Sequence, residues 1–152
     1  MRVNLDSPPN CALDDFTFNA FQVVPREDKG EADSLDVSCR LCRHKEDGER
    51  FLIRMDLDYR GKSKTPFALR ISANGYFHWR GGLESKEGAG YMAWVNGGTI
   101  IYGLVRATVA DLTSSSECGR VILPTIMMED VVKDEIRQAS ENAAKAKDET
   151  PQ

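Results

Sequence analysis

Cys39 and Cys42, with His44 close behind, are the first residues in this sequence that could hold an ion or pass electrons. A Cys-x-x-Cys pair is half of a tetrahedral zinc site, or the core of a dithiol couple. Either use needs both sulfurs on one side of the chain. Around them, Leu35, Val37, Cys39 and Leu41 alternate with Asp36, Ser38, Arg40 and Cys42. That is the two-residue period of a strand, on which positions three apart point to opposite faces. The other candidate ligands, Cys11, Cys118 and His78, stand alone and form no second pair. The sequence therefore predicts no metal and no Cys39–Cys42 disulfide, with cysteine acting as a small buried hydrophobe.

The remaining chemistry-bearing groups are similarly incomplete. Asp56 and Asp58 share one face of a predicted strand and could act as a carboxylate pair, but Arg54 lies on the same face, which is the pattern of a solvated surface. Gly97-Gly98 precedes an apolar helical run and could cradle an anion at a helix N-terminus. Without a preceding strand or a nearby Lys or Ser/Thr pair it completes no phosphate loop. No Gly-x-Ser-x-Gly elbow and no His-Glu-x-x-His pair occurs, and the two histidines, His44 and His78, fall on separate predicted strands. These residues point away from an enzyme and call for no cofactor.

The elements that would position them read as a sheet followed by helices. Phe16 to Val24 is rich in aromatic and β-branched residues and predicts a first strand. Leu35 to His44 is a second, and Phe51 to Tyr59 a third, the two joined by Lys45-Glu46-Asp47-Gly48, whose Asp-Gly is a strong hairpin signal. Thr65 to Arg80 predicts the longest strand, with Phe67, Leu69, Ile71, Ala73, Phe77 and Trp79 on one face and a bulge or bend at Gly75. Gly81 to Gly90 reads as a loop. From Ile100 the apolar positions Ile101, Leu104, Val105, Thr108 and Leu112 take the spacing of one helix face, with Gly97-Gly98 ahead of it. A second helix is predicted over about 127–147, fraying beyond Ala139. The fold class is α+β: a four-stranded antiparallel sheet, then two helices. Residues 1–15 are expected to form a flexible arm, 16–141 the domain, and 142–152 a polar tail unable to offset its ordering entropy.

Composition narrows the partners. The chain has 152 residues, 41% hydrophobic and 29% charged, enough for one ordinary domain. Its formal charge of −4 argues against nucleic acid, which needs clustered Lys and Arg. Residues 1–9 carry one Arg and no apolar run, so no signal peptide is expected, and no stretch predicts membrane insertion. The expected location is the cytoplasm. Large adaptable apolar groups gather at element ends: Tyr76, Phe77 and Trp79; Tyr91, Met92 and Trp94; Ile126, Met127 and Met128. Met repacks, and aromatics supply contact area at low entropy cost, so such groups suit a surface that accepts many apolar segments.

This order of parts resembles the SecB export-chaperone family. Asn74-Gly75-Tyr76-Phe77 is similar to its Gly-rich turn into an aromatic pair, Ile101 to Leu112 to its first helix beginning with a Tyr, and Val121 to Met127 to its proline-containing link before the second helix. The resemblance implies a homotetramer, a dimer of dimers, that holds unfolded preproteins in apolar grooves and passes some to SecA. The first strand lacks the acidic Ser-Phe-Glu-like pattern that meets the zinc-binding tail of SecA, so the resemblance supports client binding more than that transfer. Some SecB-like proteins instead guard an antitoxin. The residues expected to bind clients are Tyr76, Phe77, Trp79, Ile126, Met127 and Met128; those expected at a subunit interface are Ile101, Leu104, Val105, Thr108 and Leu112. The competing reading is a small-ligand module with a pocket lined by Trp79 and Trp94.

Overall fold

In the computed structural model, which describes residues 10–25, 33–61, 67–117 and 119–148, the elements are β1 (Cys11–Pro25), β2 (Ser34–Arg43), β3 (Arg50–Arg60), β4 (Phe67–Trp79), α1 (Ala89–Thr113) and α2 (Met128–Asp148). The strands form one antiparallel sheet in the order β1-β4-β3-β2. Strands β2, β3 and β4 make the expected meander. At the β2–β3 turn, the His44 imidazole Nδ1 accepts the backbone N–H groups of Glu46 (3.2 Å) and Asp47 (3.0 Å), which fixes the loop before Gly48.

Strand β1 is longer than its composition suggested, and residues 11–15, assigned to an irregular arm, belong to it. Two irregularities hide its pattern. The register with β4 shifts between Leu13 and Asp15 and again between Phe18 and Ala20, leaving Asp14 and Asn19 as extra residues. Each extra residue flips the parity of the strand positions after it. Leu13, Phe16, Phe18, Phe21 and Val23 therefore all lie opposite the core row Phe77, Gly75, Ala73, Ile71 and Leu69. Both extra residues reach β4 on the other face: Asp14 contacts His78 Nδ1 at 2.9 Å, and Asn19 accepts from Asn74.

One face of the sheet is apolar and carries the helices; its core includes Cys39, Phe51, Ile53, Met55, Leu57, Leu69, Ile71, Phe77 and Trp79. The outward face carries charges, with Arg40 and Arg54 around Asp56 and Arg60 and Arg70 around Asp58. The suggested carboxylate pair is thus held in arginine contacts.

Helix α1 starts at Ala89, about three turns before the apolar run predicted it, so Gly97 and Gly98 lie inside the helix. They are there for closeness. A Cβ on Gly97 would sit 2.8 Å from Ile53 Cγ1, and one on Gly98 would sit 2.8 Å from Met128 Sδ and 2.9 Å from Cys39 Sγ. Gly75 likewise pairs regularly with Phe16 and Ile53 and makes no bulge; Ile101 of α1 fills the space its side chain would need. Helix α2 continues to Asp148, through the segment expected to be a tail and past the expected fraying point at Ala139. Residues 1–9 and 149–152, the ends of the expected arm and tail, lie outside the described residues.

Candidate functional site

The link between the helices, residues 119–127, is extended and runs beside α1. Tyr102 donates its hydroxyl proton to the Pro124 carbonyl, and Arg106 Nε donates to the Leu123 carbonyl at 2.8 Å. Those bonds satisfy backbone oxygens that no strand reaches. They also set the alternation along the link: Val121 and Leu123 are buried, while Ile122 (56% exposed) and Met127 (66% exposed) face out. Ile126 is half-buried against the core, and Met128 inserts into it over Gly98.

The six residues predicted to bind clients are therefore divided. Phe77, Trp79 and Met128 are core. Ile126 and Met127 border the open surface of the link. Tyr76 lies across the sheet from them, opposite Asp15 and Leu52, where it lines a cleft of about 1230 Å³ with Leu52, Cys42, His78 and Asp14. The structure brings Met127 and Ile122 to one side and leaves Tyr76 on the other. Ile122 was missed as an exposed position; the signal for it was the alternation of Val121-Ile122-Leu123-Pro124, readable only once the link is known to lie against α1.

The residues predicted to meet another subunit divide along the helix. Ile101 and Val105 are fully buried against the sheet, and Thr108 is half-buried. Leu104 (36% exposed) and Leu112 (61% exposed) face outward, together with Met92 and Ile100.

Cys39 and Cys42 fall on opposite faces, Cys39 fully buried and Cys42 exposed. Burial pushes the Cys39 thiol up to about 12, which holds it protonated and unreactive at neutral pH. Among the described residues no three His, Cys, Asp or Glu side chains gather as metal ligands. The two tryptophans sit towards different edges of the sheet. Trp79 borders a recess of about 360 Å³ beside Cys11 and Met92, whereas Trp94 reaches the opposite edge strand and donates to the Cys39 carbonyl. Among the described residues no helix is long and apolar enough to cross a membrane.

No protein-family model matches the sequence. No curated protein matches it either. Solved structures do match the fold. The SecB-like chaperone Rv1957 of Mycobacterium tuberculosis, in complex with a ChAD peptide from the Rv1956 HigA1 antitoxin, superposes with a TM-score of 0.58 at 14% identity, over 77% of this chain and 88% of that one. A protein of unknown function from Streptococcus agalactiae superposes with a TM-score of 0.52 at 15% identity, over 76% of this chain and 97% of that one. The sheet of four antiparallel strands followed by two helices is the SecB-like fold, carried here by a divergent sequence.

Proposed function

We propose that this chain is a holdase-type chaperone of the SecB-like family, which binds extended apolar segments of non-native polypeptides without nucleotide and holds them without chemical change. The observation that carries this reading is the apolar surface beside the inter-helix link, where Ile122 and Met127 stand exposed, on a fold shared with a chaperone solved with a bound peptide. Burying roughly 400 Å² of apolar client surface there would supply about 10 kcal/mol before ordering costs, which take back much of it. A flexible thioether beside a branched aliphatic accepts varied side chains, so sequence preference is weak.

The clients are an antitoxin segment or an unfolded preprotein destined for export. The likeness to Rv1957, which was solved with an antitoxin peptide, favours the first. SecA is the less favoured onward partner, because the first strand departs from the acidic pattern of the family. The assembly is a cytoplasmic homotetramer, a dimer of dimers, in which Leu104 and Leu112 on the outward side of α1 meet another copy.

The test is suppression of the aggregation of an unrelated unfolded protein in the absence of ATP. Ile122→Ser with Met127→Ser should weaken it while the far-UV spectrum persists. Tyr76→Ser should leave it unchanged; an equal loss there would move the client to the outward sheet face. A wild type that neither delays aggregation nor binds an unfolded chain overturns the chaperone reading.

A further inference from the structure

Strand β2 forms one edge of the sheet, and an edge strand offers unpaired backbone groups to any extended chain. At Cys39, in the middle of that edge, both groups are taken by side chains. The Cys39 N–H donates to Glu135 Oε1 of α2 at 3.0 Å, and the Cys39 carbonyl accepts from Trp94 Nε1 of α1 at 2.9 Å. A neighbouring strand would place its own carbonyl and N–H in those two positions. Ser38 adds a second hold, its hydroxyl donating to the same Glu135 Oε1 at 2.7 Å.

The way α2 is anchored makes this contact separable from the rest of the helix. Met128 and Val132 are buried and Val131 packs against the core, but no side chain from Lys133 to Ala146 is buried, and 136–146 are exposed. Glu135 thus bonds to the β2 edge just ahead of a stretch, 136–146, whose side chains are exposed. Losing its two hydrogen bonds would free the helix from that point on while Met128 stays seated over Gly98.

We propose that Glu135 and Trp94 form an autoinhibitory latch on the β2 edge, and that the main chain of an extended polypeptide pairs with β2 around Cys39 by displacing the Glu135 carboxylate. The proposal rests on the chaperone reading and adds how the client is admitted. Apolar side chains of the client settle by the link, and its backbone competes with α2 for one strand edge. Binding is then weakened by the fraction of time the latch is shut, so loosening the latch strengthens binding.

The experiment measures fluorescence anisotropy of a labelled, extended, β-prone peptide, and of the same peptide N-methylated at alternate amides in each of the two registers. Wild type, Ser38→Ala and Glu135→Ala are compared after far-UV spectra confirm folding. The expected result is binding about ten-fold tighter for Glu135→Ala and about three-fold tighter for Ser38→Ala, with the gain lost in one N-methylated register. Folded variants that bind no tighter than a peptide-binding wild type overturn the latch and leave the chaperone reading standing. A gain that both N-methylated peptides share overturns main-chain pairing. If Glu135→Ala does not fold, Ser38→Ala decides, since it leaves backbone and carboxylate in place. Absence of peptide binding by wild type and variants, with no aggregation suppression by wild type, overturns the chaperone reading and the latch with it.

Discussion

Gly75→Ala should destabilise the protein by about 2 kcal/mol, through a contact no strand pattern would suggest. Gly75 is in the interior of β4, paired with Phe16 on one side and Ile53 on the other, and α1 crosses directly above it. A Cβ there would lie 2.2 Å from Ile101 Cδ1 and 2.7 Å from both Ile101 Cγ1 and Phe77 Cε2. Ile101 and Phe77 are buried, so neither can swing into solvent. Overpacking of this kind costs about 1–3 kcal/mol. Alanine recovers about 0.4–1 kcal/mol by restricting the unfolded chain. For a chain of this size the net loss lowers Tm by about 4–8 °C. The second arm is Ile101→Val, which removes the nearest methyl and alone costs about 1 kcal/mol. The double variant should be less destabilised than the sum of the two, by about 1 kcal/mol or more, because it relieves the clash. Urea denaturation followed by circular dichroism measures all four proteins. A neutral Gly75→Ala, or strict additivity, would refute the close seating of α1 on β4.

Three further outcomes rest on burial. Leu104→Glu should lower the oligomeric state in equilibrium sedimentation with little change in Tm, whereas Val105→Glu, which buries an unpaired carboxylate, should unfold the subunit; a monomeric wild type would refute the interface. Because the Cys39 thiol is held at about 12, above its usual value near 9, the unfolded chain ionises first as pH rises. The stability it contributes is complete below about pH 9 and is lost as pH rises towards about 12. Cys39→Ala should flatten that decline in the denaturation midpoint, and peptide mapping after alkylation at pH 8 should find Cys42 modified and Cys39 spared. Deleting residues 142–152 should shift Tm by less than about 2 °C, since 142–146 are exposed; a larger drop would show that this segment docks on the body.

Where alternation was clean, the elements were legible. Strands β2 and β3 could be read almost residue by residue because Val37, Cys39 and Leu41 face the core beside Ile53, Met55 and Leu57 with no interruption. Strand β1 could be recognised but not extended. The residues opposite the core row, Leu13, Phe16, Phe18, Phe21 and Val23, are spaced three, two, three and two residues apart, and only the pairing with β4 shows that Asp14 and Asn19 are extra. The start of α1 was obscured for the opposite reason. Gly97 and Gly98 are poor helix formers and read as a boundary, yet tertiary closeness to Ile53, Cys39 and Met128 requires glycine at those two helical positions.

The site was legible as a composition and not as a surface. A run such as Ile126-Met127-Met128 announces adaptable apolar area, but which member is exposed depends on where the chain turns into α2. Met128 is drawn inward because Gly98 leaves it a slot above Cys39, and its neighbour Met127 is turned out. Tyr76 and Phe77 separate by strand parity alone, one to each face. The β2 edge was still less visible. Glu135 is an ordinary helical carboxylate in sequence, nearly a hundred positions from Cys39, and Trp94 reads as one more aromatic. What joins them is the sheet order, which leaves the outward N–H and C=O of Cys39 without a strand and so creates a need that an indole donor and a carboxylate acceptor can meet. The groups that keep this edge closed are thus the groups an incoming chain would have to replace, which ties the stability of α2 on the sheet to the affinity for an extended partner.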